Sequence, residues 1–305
     1  MKAVDLFAGA GGTTTGVKQT GKVDMVWAAN HNPKAVAYHA LNHPEVSHTC
    51  QDLHQADWSL VPKHNLLFAS PCCAGHSRAS GQKKKTKQAD LSRSTAWAVV
   101  SCLESHRTDI GVIENVTDFL DWELYPAWEH ALKSLGYSIS INYVNASEMG
   151  IPQNRERIFI VVTRSKNPIE LNIEKEPMIP ARTIIDLSED GYEWDLVKNR
   201  VPATRLRVEN GRKQFGHIFL DAAYGSAKTG RSLDKPLGAI TTVNKHSLVI
   251  GDKIRPLSID EIAAAQTFDP HYVWPKSKVL TKMMIGNAVP PLMAEKITRA
   301  VLKAA

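Results

Sequence analysis

The 305-residue chain has four cysteines, Cys50, Cys72, Cys73 and Cys102, and no C-x-x-C pair, so a disulfide framework or a structural zinc site is not expected. No apolar run approaches the ~18 residues of a membrane span, and the start, Met1-Lys2-Ala3-Val4-Asp5, lacks a signal-peptide pattern. Internal repeats and low-complexity tracts are missing. With 43% hydrophobic and 22% charged residues, the composition excludes a disordered or collagen-like chain. The expectation is a cytoplasmic globular protein with one large domain, or a large and a small one.

Excess charge is also scarce, at +6, but it is unevenly spread. Residues 78–93 hold six Lys/Arg against one Asp, and residues 197–213 hold six Lys/Arg against one Glu. Together they exceed the excess of the whole chain, so the remainder is net acidic. Two basic segments on such a body suggest a polyanion partner, although a solvated loop accounts equally well for either run alone.

Short apolar runs at 3–7, 23–28, 66–69, 110–113 and 158–162 predict buried strands, and amphipathic stretches at 33–42, 95–105 and 122–135 predict helices. This alternation predicts an α/β fold with a mostly parallel sheet covered by helices. Its regularity lapses near residue 165, where Pro168, Pro177, Pro180 and Pro202 interrupt a polar, basic stretch; a smaller irregular or β-rich domain is expected there. Order returns with a capping box at Ser258-Ile259-Asp260-Glu261 and a final helix after Pro290-Pro291.

The first strand runs into Asp5-Leu6-Phe7-Ala8-Gly9-Ala10-Gly11-Gly12. Glycines after a strand let the backbone turn tightly and approach a ligand at the C-terminal edge of the sheet. A dinucleotide fingerprint starting at Gly9 would need glycine where Thr14 stands, and no G-K-[ST] follows, so nicotinamide and P-loop chemistry are disfavoured. An adenosine-type ligand without a pyrophosphate remains, beside the alternative of a ligand-free turn. A second strand ends at Ser70-Pro71-Cys72-Cys73, with Arg78, Lys83, Lys84, Lys85 and Lys87 close behind, a setting that favours a thiolate over an inert buried thiol. A third ends at Glu114, where an acid can share a pocket with that nucleophile or merely cap the next helix.

These segments in order, with Gly150-Ile151-Pro152-Gln153-Asn154-Arg155-Glu156-Arg157 and Gly286-Asn287-Ala288-Val289-Pro290-Pro291, resemble the C5-cytosine DNA methyltransferases of bacterial or phage type. The resemblance spans nearly the whole chain apart from about 165–235. It implies a Rossmann-like catalytic domain at 1–165 and 251–305 and a target-recognition domain at 166–250. Counting back four residues from Ser77 assigns the nucleophile to Cys73; Cys72, Ala74 and His76 depart from the family's usual Pro, Gln and aromatic residue.

The implied reaction is attack of Cys73 on C6 of a flipped cytosine, with Glu114 holding N3 and the exocyclic amine, Arg157 contacting O2 and Arg155 bracing the pocket. The implied cofactor is S-adenosyl-L-methionine, held by Asp5, Phe7, Gly9, Gly11, Gly12, Asn30, Asp52, Leu53, Ser70 and Asn287. No metal is implied. Asn30 and His31 replace the family's ribose-binding Glu and its bulky neighbour, which predicts weaker cofactor binding. Ser77, Arg78, Lys83, Lys84 and Lys85 are implied phosphate contacts on a mobile loop, and Arg200, Arg205, Arg207 and Arg212 are candidates for the recognition surface. Duplex DNA is the implied partner, with a cognate restriction endonuclease that forms no stable complex, and the chain is expected to be a monomer. The alternatives are a tRNA cytosine-5 methyltransferase using the same chemistry and an inactive DNA-binding protein.

Overall fold

A computed structural model of the chain describes residues 1–72, 95–225 and 227–305. They form two compact units: Met1–Asn145 with Glu156–Glu174 and Ala288–Ala305, and Ala146–Arg155 with Lys175–Asn287.

The first unit is built on seven strands, β1 (Lys2–Leu6), β2 (Asp24–Asn30), β3 (Ser47–Cys50), β4 (Leu66–Ala69), β5 (Ile110–Asn115), β6 (Ser138–Asn145) and β8 (Glu156–Thr163). β7 (Gln153–Asn154) belongs to the second unit. The sheet order is β3-β2-β1-β4-β5-β8-β6. From β3 to β5 every pairing is parallel, and β8 alone runs against its neighbours. Central strands of a sheet covered on both faces read as continuous apolar runs, and Leu66-Leu67-Phe68-Ala69 is buried throughout. Helices α1 (Gly12–Gln19), α2 (Pro33–Asn42), α3 (Trp97–His106) and α4 (Tyr125–Ser134) follow β1, β2, β4 and β5. One core joins Val4, Leu6 and Leu67 to Val99, Leu103, Phe119 and Trp128.

Helix α8 (Pro291–Ala304) completes this unit, burying Met293, Ala294, Ile297 and Val301 at helical spacing. It lies so close to α1 that a Cβ on Gly16 would come within 2.1 Å of the Pro291 carbonyl oxygen, so only glycine fits there.

In the second unit, β10 (Ile218–Ala222), β12 (His246–Ile250), β13 (Lys253–Pro256) and β9 (Asp195–Leu196) form an antiparallel sheet in that order. β11 (Leu237–Gly238) pairs in parallel with β7. Helix α5 (Pro202–Phe215) packs Val208 against Phe219, Val249 and Ile254. The expectation of irregular or β-rich structure missed this 14-residue helix, which takes up most of the basic segment 197–213. Helices α6 (Ile259–Ala265) and α7 (Lys278–Asn287) follow. Both bonds of the expected capping box form, between Ser258 and Glu261.

This unit takes in 146–155 and 251–287 as well as most of the expected recognition domain. Its boundaries therefore differ from the functional division drawn on the sequence.

Candidate active site

Because β1 to β5 are parallel, their C-terminal ends lie along one sheet edge. In sheet order, that edge carries Asp52 just after β3, Asn30 at the end of β2, the glycine turn after β1, Ser70 after β4, and Glu114 next to the end of β5. β8 starts at this edge because it runs the other way, pairing Ile158 with Asn115 and so bringing Arg157 close to Glu114. Arg157 Nε lies 2.9 Å from Glu114 Oε1, with both side chains largely buried. Arg157 Nη1 also donates to the Glu156 carbonyl at 2.6 Å, which fixes the guanidinium from a second direction. Ser70 and Glu114 line one small pocket with Thr13, Phe68, Phe159 and Val289.

The glycine turn combines two left-handed residues, Phe7 at φ 63° and Gly11 at φ 89°. Gly11 adopts a conformation that costs a side-chain-bearing residue, and it caps α1. Phe7 adopts the same region against its steric preference, a local strain of roughly 1–3 kcal/mol. A Cβ on Gly9 would meet nothing within 4 Å, so the backbone there is bare on that side. An open backbone face beside an aromatic ring fits an adenosine-bearing ligand.

Beneath the turn runs a buried polar chain that sequence reasoning missed. Thr14 Oγ1 donates to Asp5 Oδ2 at 3.1 Å and lies 3.1 Å from His39 Nε2, and His39 Nδ1 lies 2.7 Å from His48 Nε2. Since the Thr14 proton goes to Asp5, His39 Nε2–H is the donor to Thr14. Burial pushes the Asp5 carboxyl up to about 7, partly opposed by the Thr14 bond. Burial and neighbouring His43 and His48 hold His39 down to about 2.

Asn30, the residue expected at the ribose, already has part of its hydrogen-bonding capacity engaged. Asn30 is buried, and its Oδ1 accepts the Asn32 N–H at 2.9 Å, leaving the amide as its donor group. Asp52 is exposed and accepts the His54 N–H at 3.0 Å, and Leu53 is buried. Asn115, directly after Glu114, is buried; its Nδ2 donates to the Pro71 carbonyl at 3.2 Å and so ties the end of β5 to the start of the cysteine loop. A polar residue directly after the candidate acid was its only signal. Cys72 is exposed, and Thr95 Oγ1 accepts its N–H at 3.0 Å. Cys102 is buried, which pushes its thiol up to about 12 and makes it inert. Cys73, Ser77, Arg78, Lys83, Lys84 and Lys85 lie outside the described residues.

The other candidates belong to the second unit. Arg155 is buried, and Nη1 and Nη2 donate to the carbonyls of Ile240, at 3.0 Å, and Gly286, at 3.2 Å, as a brace would. Gln153, fully buried, links the same region by accepting the Ile240 N–H at 2.7 Å and donating to the Ala265 carbonyl at 3.1 Å. Asn287 ends α7. Arg205 is exposed on α5, and Arg200 pairs with Asp195 at 3.3 Å on the surface. Arg212 donates to the Gly251 carbonyl at 2.8 Å and pairs with Asp252 at 2.9 Å.

Arg207 corrects the expectation of a DNA contact. It is buried, with Nε 2.7 Å and Nη2 2.9 Å from the two carboxylate oxygens of Asp221, so its fork is spent on holding α5 to β10.

Among the described residues no group of three or more His, Cys, Asp or Glu could hold a metal, and no helix is long and apolar enough to cross a membrane.

A family model described as C-5 cytosine-specific DNA methylase matches residues 1–303. The chain is 32% identical over 306 residues to the type II methyltransferase M.NlaX of Neisseria lactamica, covering 95% of this chain and 92% of that protein. It is 26% identical to the type II methyltransferase M1.ScrFI of Lactococcus lactis subsp. cremoris, covering 99% of this chain and 79% of that protein. In fold it is similar to a putative DNA modification methyltransferase encoded within an E. coli prophage, with a TM-score of 0.72 and 16% identity, covering 100% of this chain and 99% of that one.

Proposed function

Because the chain belongs to the C-5 cytosine-specific DNA methylase family, we propose that its sheet edge carries the reaction with Cys73 as nucleophile and Glu114 and Arg157 as the groups that activate the base. The protein is a DNA (cytosine-5-)-methyltransferase. The observation that carries the assignment of roles is the Arg157–Glu114 pair at 2.9 Å on the edge where the glycine turn and the cysteine loop also emerge.

C5 of cytosine is a poor nucleophile until a bond at C6 pushes electron density onto it. The Cys73 thiolate adds to C6, and Glu114 holds N3 and the exocyclic amine as negative charge develops in the ring. Arg157 fixes the Glu114 carboxyl and offers its remaining N–H groups to the cytosine O2. S-Adenosylmethionine, when bound, supplies the electrophilic methyl group. Loss of the C5 proton then returns the bonding electrons to the ring as Cys73 departs, restoring the thiolate. The target must leave the helical stack, since neither face of a paired base is open to attack.

For the cofactor, Phe7 flanks the adenine, Gly9, Gly11 and Gly12 leave the backbone open to the methionine portion, and Ser70 approaches it from the end of β4; Asn287 is a candidate contact from the family motif alone. Asp5 supports the turn through Thr14, Asp52 and Leu53 face the adenine end, and the Asn30 amide donates to the ribose diol. One lost neutral hydrogen bond is worth about 0.5–1.5 kcal/mol, so Asn30→Ala should weaken cofactor binding roughly 2- to 12-fold. An unchanged affinity by calorimetry removes Asn30 from the ribose site.

Bisulfite sequencing of DNA from cells expressing the protein tests the assignment directly. Methylation at one short sequence is expected with the wild type and none with Cys73→Ser. Methylation that survives Cys73→Ser but is lost with Cys72→Ser shifts the nucleophile by one position. We further propose a monomer that acts in the cytoplasm beside a restriction endonuclease without forming a stable complex with it.

A further inference from the structure

In the second unit, two cations are held against one aromatic ring, apart from every residue assigned above. Arg231 Cζ lies 5.3 Å and Lys245 Nζ 5.6 Å from the centre of the Tyr224 ring. The backbone fixes all three positions: Arg231 exchanges two hydrogen bonds with Leu220 of β10, and the Lys245 carbonyl accepts the Ala223 N–H at 2.8 Å. Tyr224 itself is clamped, its hydroxyl donating to the Ala239 carbonyl at 2.8 Å and lying 3.1 Å from His246 Nε2. Since the phenol proton goes to Ala239, His246 Nε2–H is the donor to Tyr224. Burial, and then the Arg231 charge, keep His246 down to about 4, so it adds no charge near neutral pH.

Neither Arg231 nor Lys245 forms an ion pair with an acid among the described residues. Several other cations of the unit, Arg182, Arg200, Arg207, Arg212, Lys213, Lys253 and Arg255, do pair with a carboxylate. Arg231 is exposed and Lys245 half-buried. Two like charges converging on a rigid ring repel each other, and an anion arriving from outside removes that cost.

We propose that Arg231 and Lys245, spaced by Tyr224, form a phosphodiester site that grips the DNA backbone and positions the second unit on the duplex. The proposal rests on the reading that the protein acts on duplex DNA. It concerns affinity and register, not base reading, because phosphate contacts carry no sequence information of their own.

The test is the salt dependence of binding to a mixed-sequence 30-base-pair duplex, followed by fluorescence anisotropy. Each phosphate contact contributes about 0.9 to the slope of log K against log salt, so Arg231→Gln and Lys245→Gln should each lower the slope by about 0.9. The double variant should lower it by about 1.8, with roughly an eightfold affinity loss per contact at 0.1 M salt. Arg231→Lys with Lys245→Arg keeps both charges and should keep the slope. An unchanged slope in a double variant that melts like the wild type overturns the proposal. So does a double variant that binds the mixed-sequence duplex normally yet loses methyl transfer to genomic DNA, since that marks base contacts. Loss of slope in the charge-preserving pair also overturns it. A wild-type protein that shows no salt-dependent duplex binding instead rejects the DNA reading beneath it.

Discussion

The two compact units use arginine in opposite ways. In the first, Arg157 pairs with Glu114 at the sheet edge, the pair proposed to activate the base. In the second, Arg207 and Arg255 are buried in bidentate pairs with Asp221 and Glu261, and Arg255 also stacks 3.8 Å from the Tyr192 ring centre. The parallel sheet has long apolar runs to bury, so its stability does not hang on the ion pair proposed to serve chemistry. The small antiparallel sheet, with a four-residue apolar core of Val208, Phe219, Val249 and Ile254, relies on buried charge pairs to set its geometry. A basic segment is therefore a poor count of DNA contacts until its carboxylate partners are known.

The largest expected effect tests the catalytic side of this contrast. Glu114→Gln keeps the shape but removes the carboxylate, and kcat should fall by about 10²–10⁴ with little change in melting temperature. A stability loss without a rate loss would move Glu114 to the structural class. Next is Arg207→Ala, which leaves the Asp221 carboxylate buried and uncompensated. It should destabilise the protein by about 3–5 kcal/mol in denaturant titrations, and a variant that keeps its stability while losing DNA affinity breaks the comparison.

Acid probes the buried titratable groups of both units. His39 is held down to about 2, and His43 and His246 to about 4, chiefly by burial. Below pH 6.5 the unfolded chain takes up protons that these folded histidines refuse, so their contribution is present above 6.5 and lost as the pH falls toward 4. Asp5 acts the other way. Its carboxyl, pushed up to about 7, stays protonated in the folded chain between 3.8 and 7, so it favours folding as the pH drops through that window. Three histidines outweigh one aspartate, and thermal melts should show stability falling from pH 6.5 to 4, at most roughly 1.4 kcal/mol per pH unit for each unopposed histidine. Rising stability across that range contradicts the burial argument. The smallest effect is expected for Arg205→Gln, whose exposed side chain should change stability by no more than about 0.5 kcal/mol.

Much of the first unit was legible because apolar runs and strand-end residues are local signals. Helix 33–42 was expected with its observed bounds, and the strands around 66–69 and 110–113 came from uninterrupted apolar stretches. β6 escaped notice because Ser138-Ile139-Ser140-Ile141-Asn142-Tyr143 mixes polar and apolar residues and leaves Tyr143 exposed, as an edge strand does. Helix α5 was hidden by its basic composition, which reads as a loop until Val208 and Gly211 are seen packed inward. Asp5 was visible as part of the glycine motif. Its relay to Thr14 and His39 was not, since that contact closes only when α1 and α2 fold back on the same side of β1. The fate of Arg207 was equally unreadable, because Asp221 lies 14 residues away on another element.

The close packing of α1 on α8 also has a consequence for biosynthesis. Gly16 and Pro291 touch across nearly the whole chain. With roughly 270 residues between them and ribosomal elongation near 5–20 residues per second, the surface of α1 waits about 15 to 55 s for its partner. During that interval the glycine turn that α1 supports lacks its final packing, so the nascent chain passes through a period of exposed apolar surface before the methyltransferase can fold shut.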